Sequence, residues 1–204
     1  MKTRDRILAQ SLALFNDEGA AAVSTNRIAA ELGISPGNLY YHFKSKPQIL
    51  EALLKRFDDA LAPFADAAAS VHELDDLWLA LHLLFENLNA FRFAYRDADY
   101  LMREHPQLAP RLHRTSMAQL ATVRRIYAEL QRGGTMRANE QEVELLALHT
   151  LLVVTCWQPF TRLVPELRDA DSGRAAYHVL TLLGPYLADE ARPYLVYLTH
   201  KYLK

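Results

Sequence analysis

Two punctuation marks, Gly33 and the dipeptide Ser35-Pro36, constrain this chain more than any other feature of its 204 residues. They divide residues 24–46 into two short helices, a tight turn between them, and the start of a further helix. Ser24 stands where a helix N-cap is needed, and Ile28, Ala29 and Leu32 follow at helical spacing to make one apolar face. Gly33 supplies the left-handed backbone that ends a helix, and Ile34 turns back to the core. Ser35 caps the next helix, with Pro36 at its first position, where a missing N–H costs nothing. Within that helix Leu39 and Phe43 face inward. At about 100° per residue, Gly37, Asn38 and Tyr41 then point outward, with Tyr40 and His42 flanking them. A short helix that shows small, amide, aromatic and imidazole groups to solvent is built to touch something polar. The pattern is a helix-turn-helix, and its second helix is expected to enter a DNA major groove.

The residue types assign the contacts. Gly37, just behind Pro36, lets the helix backbone approach closely, and the Asn38 amide suits a base edge, adenine best. Tyr40, Tyr41 and His42 reach phosphates or a thymine methyl. Thr25 and Asn26, at a helix start, together with Lys44 and Lys46, suit the phosphate backbone. The exposed aromatic patch alone would also suit a protein partner. Asn38 and the flanking lysines favour double-stranded DNA.

Residues 33–46, Gly-Ile-Ser-Pro-Gly-Asn-Leu-Tyr-Tyr-His-Phe-Lys-Ser-Lys, resemble the recognition signature of the TetR/AcrR family of bacterial transcriptional regulators. The resemblance runs from about Thr3 to about Leu54 and includes Ile7, Leu8, Leu12, Phe15, Gly19 and Ile28-Ala29. It implies an all-α protein of nine or ten helices. An N-terminal three-helix DNA-binding domain would carry a larger helical domain for effector binding and dimerisation. Pro36, Asn38 and Asn26 depart from the residues usual in the family, which leaves the operator sequence open. Phe91-Arg92-Phe93-Ala94-Tyr95-Arg96-Asp97 resembles a segment of one subgroup, some members of which respond to fatty-acid or polyhydroxyalkanoate metabolites.

The overall net charge of −1 speaks against a nucleic-acid binder, but its distribution does not. Residues 1–48 hold six basic against four acidic side chains, net +2, whereas the remainder holds 17 basic against 20 acidic, net −3. A basic head on an acidic body suits DNA. The single cysteine, Cys156, lies in an apolar stretch and reads as a small buried hydrophobe in a reducing cytoplasm. The start Met1-Lys2-Thr3-Arg4-Asp5-Arg6 leads straight into an amphipathic helix, without the form of a signal peptide. The run Leu145–Val164 is interrupted by His149, Gln158, Pro159 and Arg162, so it reads as a buried helix and not a membrane span.

Periodicity places a first helix from Thr3 to about Asp17, capped by Thr3, and a fourth from a Ser45/Gln48 capping box to a break near Pro63. A boundary at residue 48 separates the head from an effector and dimerisation domain, 49–204, although the family domain reaches about residue 62. Further helices are expected at Leu74–Phe93, Tyr95–Glu104, Pro110–Gln131, Asn139–Arg162, Ser172–Leu187 and Pro193–Leu203. The apolar faces of two of them, with Leu146, Leu152 and Val153, and with Ala176, Leu180 and Leu183, exceed what one subunit needs. They are expected to build an intersubunit four-helix bundle in a homodimer.

Catalytic chemistry finds no support. Gly33-Ile34-Ser35-Pro36-Gly37 spells a nucleophile elbow, but that motif needs a strand before the serine, and a helix precedes it. None of the eight histidines has the spacing of a helical metal site, so neither metal nor cofactor is expected. Trp78, His82, Phe85 and Asn89 recur at three or four residues along one helix, and Tyr127, His149 and Trp157 lie on helices able to face them. An ordinary core explains these residues one by one. As a group they suit a largely apolar, acyl-like effector, with Arg92, Arg96 and Arg111 placed to hold one carboxylate at the mouth. The expectation is a cytoplasmic dimeric repressor that an effector releases from a palindromic operator. An activator of the same family is the first alternative, and a helical-bundle carrier the second.

Overall fold

The computed structural model describes residues 2–167 and 171–202, and these form eleven α-helices without a strand. The one β-type pairing among them is an isolated antiparallel bridge between Met136 and Leu187. Contacts group the chain into two units: residues 1–60 with 90–115, and residues 61–89 with 116–204.

The first unit contains α1 (Thr3–Glu18), α2 (Thr25–Glu31), α3 (Pro36–His42) and the larger part of α4 (Lys46–Ala67). It also holds α6 (Phe93–Arg96), α7 (Ala98–Glu104) and the first turns of α8 (Ala109–Arg132). Residues 90–115, which follow the head in sequence by some forty positions, therefore fold with it, and the contacts do not divide at residue 48. Its core is continuous: Ile7, Leu8, Phe15, Ile28, Leu39, Phe43, Leu50, Leu53 and Phe57 are all buried. The two serine caps form, Ser24 Oγ accepting from Arg27 N and Ser35 Oγ from Asn38 N, both at 3.1 Å. Gly33 takes φ +63 and Gly19 φ +96, each directly after a helix.

Three local expectations change. Lys2, not Thr3, is the N-cap of α1, and it offers no side-chain bond. Gln48 Oε1 takes the N–H of Lys44 at 2.8 Å, one residue before the expected cap. The fourth helix continues through Pro63 to Ala67. Pro63 and Asp59, the residue whose carbonyl would have bonded an N–H at position 63, are both exposed, which keeps the proline on the solvent side of the helix.

The second unit contains α5 (Leu74–Ala90), most of α8, α9 (Glu140–Leu163), α10 (Ser172–Leu183) and α11 (Arg192–Tyr202). Asn139 closes a full capping box with Glu142, and Asp171 caps α10 by accepting from Arg174 N at 2.7 Å. The expected helix 172–187 ends at Leu183 and tightens into a 3₁₀ turn, Gly184–Tyr186. The last helix was expected to reach Leu203, which lies outside the described residues.

The long apolar helix α9 is not a buried helix. Val143, Leu146, Ala147, Thr150, Val154 and Trp157 are buried, whereas Leu145, Leu148, Leu152, Phe160 and Leu163 are exposed on its other side. Cys156 is exposed there too, which corrects its reading as a buried hydrophobe. Leu146, Ala176, Leu180 and Leu183 belong to the unit's own core, whereas Leu152 is exposed and Val153 half-buried, so of the expected residues these two remain on the surplus apolar face.

Candidate nucleic-acid interface

Capping and packing set the orientation of α3. Leu39 is fully buried and Phe43 nearly so, with the Arg4 guanidinium stacked 4.8 Å from the Phe43 ring. The opposite side is open: Pro36, Gly37, Asn38, Tyr40 and Tyr41 are exposed, Tyr41 by 77 %. His42 is half-buried and meets the edge of Tyr41 with ring centroids 5.1 Å apart. The Asn38 side chain makes no hydrogen bond among the described residues, so both its amide groups are available to a base edge.

Gly37 carries more information than its propensity suggests. Its φ lies outside the left-handed range, and a Cβ added there would meet only Ser35 Oγ, at 3.9 Å. The fold would accept a side chain at this position. The bare backbone therefore leaves room for a close approach from outside the chain.

Thr25 begins α2 half-buried, its hydroxyl 3.2 Å from the Tyr40 hydroxyl, which ties the start of α2 to the reading helix. Asn26 and Lys44 are exposed. Arg27, which sequence reasoning passed over, is exposed beside them but engaged by Glu18 and Glu31, whose carboxylates raise its pKa. The Arg4 contact was also missed, because nothing local in the sequence links α1 to Phe43.

Lys46 departs from the phosphate role expected for it. It is half-buried, and its ammonium donates to the Ala20 carbonyl and to the Tyr100 hydroxyl at 3.2 Å. The same nitrogen lies over the rings of Phe15 and Tyr100, at 5.8 and 5.4 Å. Tyr100 continues to His105 Nε2 at 3.5 Å, and burial, aided by Lys46, lowers the His105 pKa. Lys46 thus holds the first unit together from inside, and the other nine residues of the expected DNA surface remain as an outer group.

The seven residues expected around an effector separate into four groups. Phe85 and Trp157 meet edge-on at 6.1 Å and, with Asn89 and residues at the start of α10, line a cavity of about 170 Å³. Trp78 stacks on His82 at 5.1 Å, and His82 Nε2 lies 3.2 Å from Glu86. Tyr127 is wholly buried with its hydroxyl 2.5 Å from Thr150, and burial raises its pKa despite that bond. His149 is exposed. Tyr127 is therefore core and His149 surface, and neither lines that cavity.

The arginines expected at the cavity mouth are engaged within the first unit. Arg92 bonds the Asn16 carbonyl and Asp17, Arg96 bonds Phe15, Asn16 and Asp97, and Arg111 bonds Glu51 and Asp58. In the second unit an apolar groove of about 320 Å³ runs along the exposed side of α9. Leu152, Cys156, Trp157 and Phe160 line it, with His178 and Leu182 of α10. The His178 ring is 5.1 Å from Trp157, and burial, then Arg174, lowers its pKa.

Comparison with known proteins identifies the family. A family model described as bacterial regulatory proteins of the tetR family matches residues 7–53, and one described as a bacterial transcriptional repressor matches residues 56–195. The repressor KstR2 of Mycolicibacterium smegmatis is 34 % identical over 109 residues, 51 % of this chain and 53 % of that protein. The chain spans about half the length of the curated relatives it matches, or less. A TetR-family regulator from Marinobacter aquaeolei VT8 has a solved structure with TM-score 0.86 and 36 % identity, covering 99 % of both chains. The SmeT–triclosan complex shares the fold, with TM-score 0.66 and 21 % identity over 93 % of each chain. These relatives are transcriptional regulators and not enzymes.

Proposed function

This chain belongs to the TetR family of bacterial transcriptional regulators, and from that premise we propose that it is a dimeric repressor of a palindromic operator, released by a small, largely apolar effector. One observation carries the DNA reading. The outer side of α3 is exposed, has an uncommitted amide at Asn38, and has a glycine the fold does not need. Thr25, Asn26, Pro36, Gly37, Asn38, Tyr40, Tyr41, His42 and Lys44 form the contact surface. Asn38 reads a base and the others hold backbone or methyl groups.

The dimer reading rests on α9. A stripe of Leu145, Leu148, Leu152, Phe160 and Leu163, with the groove beside α10, is too apolar to be left in water. A second copy of the chain covers it in an isologous contact, which sets two heads on one duplex in the cytoplasm. The effector reading rests on the cavity at Phe85, Asn89 and Trp157. At about 170 Å³ it is smaller than the roughly 300–1,000 Å³ of typical small-molecule sites, so a ligand larger than a few heavy atoms must widen it. That SmeT was solved with triclosan supports a small molecule in a fold of this kind.

The test is selection of duplexes from a random-sequence library by the purified full-length chain, followed by titration at several salt concentrations. Enrichment of an inverted repeat, with affinity falling steeply as salt rises, is the expected outcome. Recovery of unenriched sequence would overturn the operator reading.

A further inference from the structure

The segment Phe91–Asp97 resembles a subgroup signature, yet the DNA reading gives it no task. Its polar side chains converge on the end of α1. The Arg96 side chain is only 5 % exposed although it carries a full charge. Its guanidinium donates to the carbonyls of Phe15 and Asn16, at 2.6 and 2.5 Å, and to the Asp97 carboxylate at 2.6 and 2.7 Å. Asp97 Oδ2 in turn accepts the backbone N–H of Ala20 at 2.7 Å. Asn16 closes the ring from the other side: its amide donates to the Ala90 carbonyl at 2.8 Å, and its Oδ1 accepts from Phe93 N at 3.1 Å.

These bonds do what a helix C-cap does, but with side chains from some eighty positions away. The last carbonyls of a helix have no intrahelical donor, and a buried carbonyl without one is costly. Arg96 supplies a donor to the Asn16 carbonyl, which Arg92 Nε also reaches at 3.2 Å, and a second donor to the Phe15 carbonyl, which already takes the Gly19 N–H at 3.1 Å. Asp97 fixes the first amide after Gly19, whose φ of +96 already turns the chain sharply. Arg96 Nη2 stands 3.7 Å from where a Gly19 Cβ would be, so the clamp closes over the bare backbone. The α1–α2 turn it holds leads directly to Ser24 and Thr25, and Thr25 bonds Tyr40 of the reading helix.

We propose that the buried Arg96–Asp97 pair is a positioning device for DNA binding. It fixes the α1–α2 turn and through it the placement of α2 and α3, without touching DNA. Residues 90–105 are then a working part of the DNA-binding head. Arginine is required at position 96, because a lysine ammonium cannot span two carbonyls and a carboxylate in one plane.

The experiment compares full-length wild type with Asp97→Ala, Asp97→Asn, Arg96→Lys and Arg96→Gln. In DNA-free protein, hydrogen exchange of the peptide covering residues 15–25 should quicken at least about tenfold in Asp97→Ala, while peptides within 140–163 keep their rate, as expected for a local opening. Asp97→Asn keeps an acceptor for Ala20 N–H and should recover most of the protection. On a duplex selected by the wild type, Asp97→Ala and Arg96→Lys should bind at least about tenfold more weakly. Their log-affinity against log-salt slope should stay unchanged, since no phosphate contact is lost. The idea fails if Asp97→Ala binds that duplex like the wild type, or if exchange at 15–25 does not change. It fails equally if Arg96→Gln, which removes the charge, flattens the slope by about one unit, which would put Arg96 on a phosphate. Should Asp97→Ala not fold, Asp97→Asn and Arg96→Lys decide by the same readings. The DNA part rests on the operator reading. If no duplex is selected, that reading falls, and the exchange data still decide the clamp.

Discussion

The two units are stabilised in different ways. In the first, charged side chains satisfy backbone ends and each other: Arg96 with Asp97, Arg92 with Asp17, Arg111 with Glu51 and Asp58, and Lys46 on the Ala20 carbonyl. Among the described residues its exposed large apolar side chains are two tyrosines, Tyr40 and Tyr41, both on α3. The second unit is held by apolar packing around Leu146, Val154, Leu180 and Leu183, and α9 still exposes Leu145, Leu148, Leu152, Phe160 and Leu163. The first unit exposes polar and aromatic groups on α3, and the second exposes an apolar stripe on α9. The proposed partners, DNA for the former and a second copy of the chain for the latter, follow that difference.

The strongest way to break this contrast is to put a carboxylate on each side of the second unit. Leu180→Asp buries a charge in a site that is 1 % exposed and should cost more than about 4 kcal/mol, enough to lose the folded state in thermal melts. Leu152→Asp, at a site 59 % exposed, should leave the monomer folded but halve the mass seen by light scattering. A Leu152→Asp protein that stays dimeric would move the interface elsewhere.

Next in size are effects on the reading helix. Asn38→Ala should cost about 1–3 kcal/mol of affinity for the selected duplex and relax preference at one base pair, measured by competition with single-site variants. Gly37→Ala should separate stability from function. The helix gains about 0.5–1 kcal/mol from alanine, while binding weakens about tenfold or more as the new methyl meets DNA. A parallel loss of melting temperature would show that the fold needed the glycine after all.

How far the sequence revealed these units follows from the range of the interactions. The caps at Ser24 and Ser35 and the turn at Gly33 act within four residues, so they were legible. The inward pair Leu39 and Phe43 fixed the outer side of α3 by period alone. Lys46 was not legible, because an exposed phosphate contact and an internal staple look alike until Ala20 and Tyr100 are placed. Arg92 and Arg96 were misplaced for the same reason: their acceptors, Phe15 to Asp17, lie some eighty residues upstream. In α9 apolar residues occur on both sides of the helix. Pattern could therefore not tell the buried Leu146 from the exposed Leu145 and Leu148.

The Lys46 assignment gives a finer test. Lys46→Ala should lower affinity without flattening the log-salt slope, whereas Lys44→Ala, at an exposed site, should flatten it by about one unit. The smallest effect is on pH dependence. His105 in the first unit and His178 in the second both have pKa values lowered by burial from the ordinary 6.5. The unfolded chain then takes up protons first as pH falls, so stability drops below that ordinary value and is unaffected above it. The melting temperature should fall as pH drops below about 6.5, and less so in His105→Gln and His178→Gln.

Hydroxyl-radical footprinting of the wild-type protein on its selected duplex tests the central claim most directly. Two heads carrying α3 on one covered α9 face should protect two symmetric windows on the same side of the duplex, about 34–36 Å or a multiple of that apart. A single window, or protection that does not depend on sequence, would contradict the account.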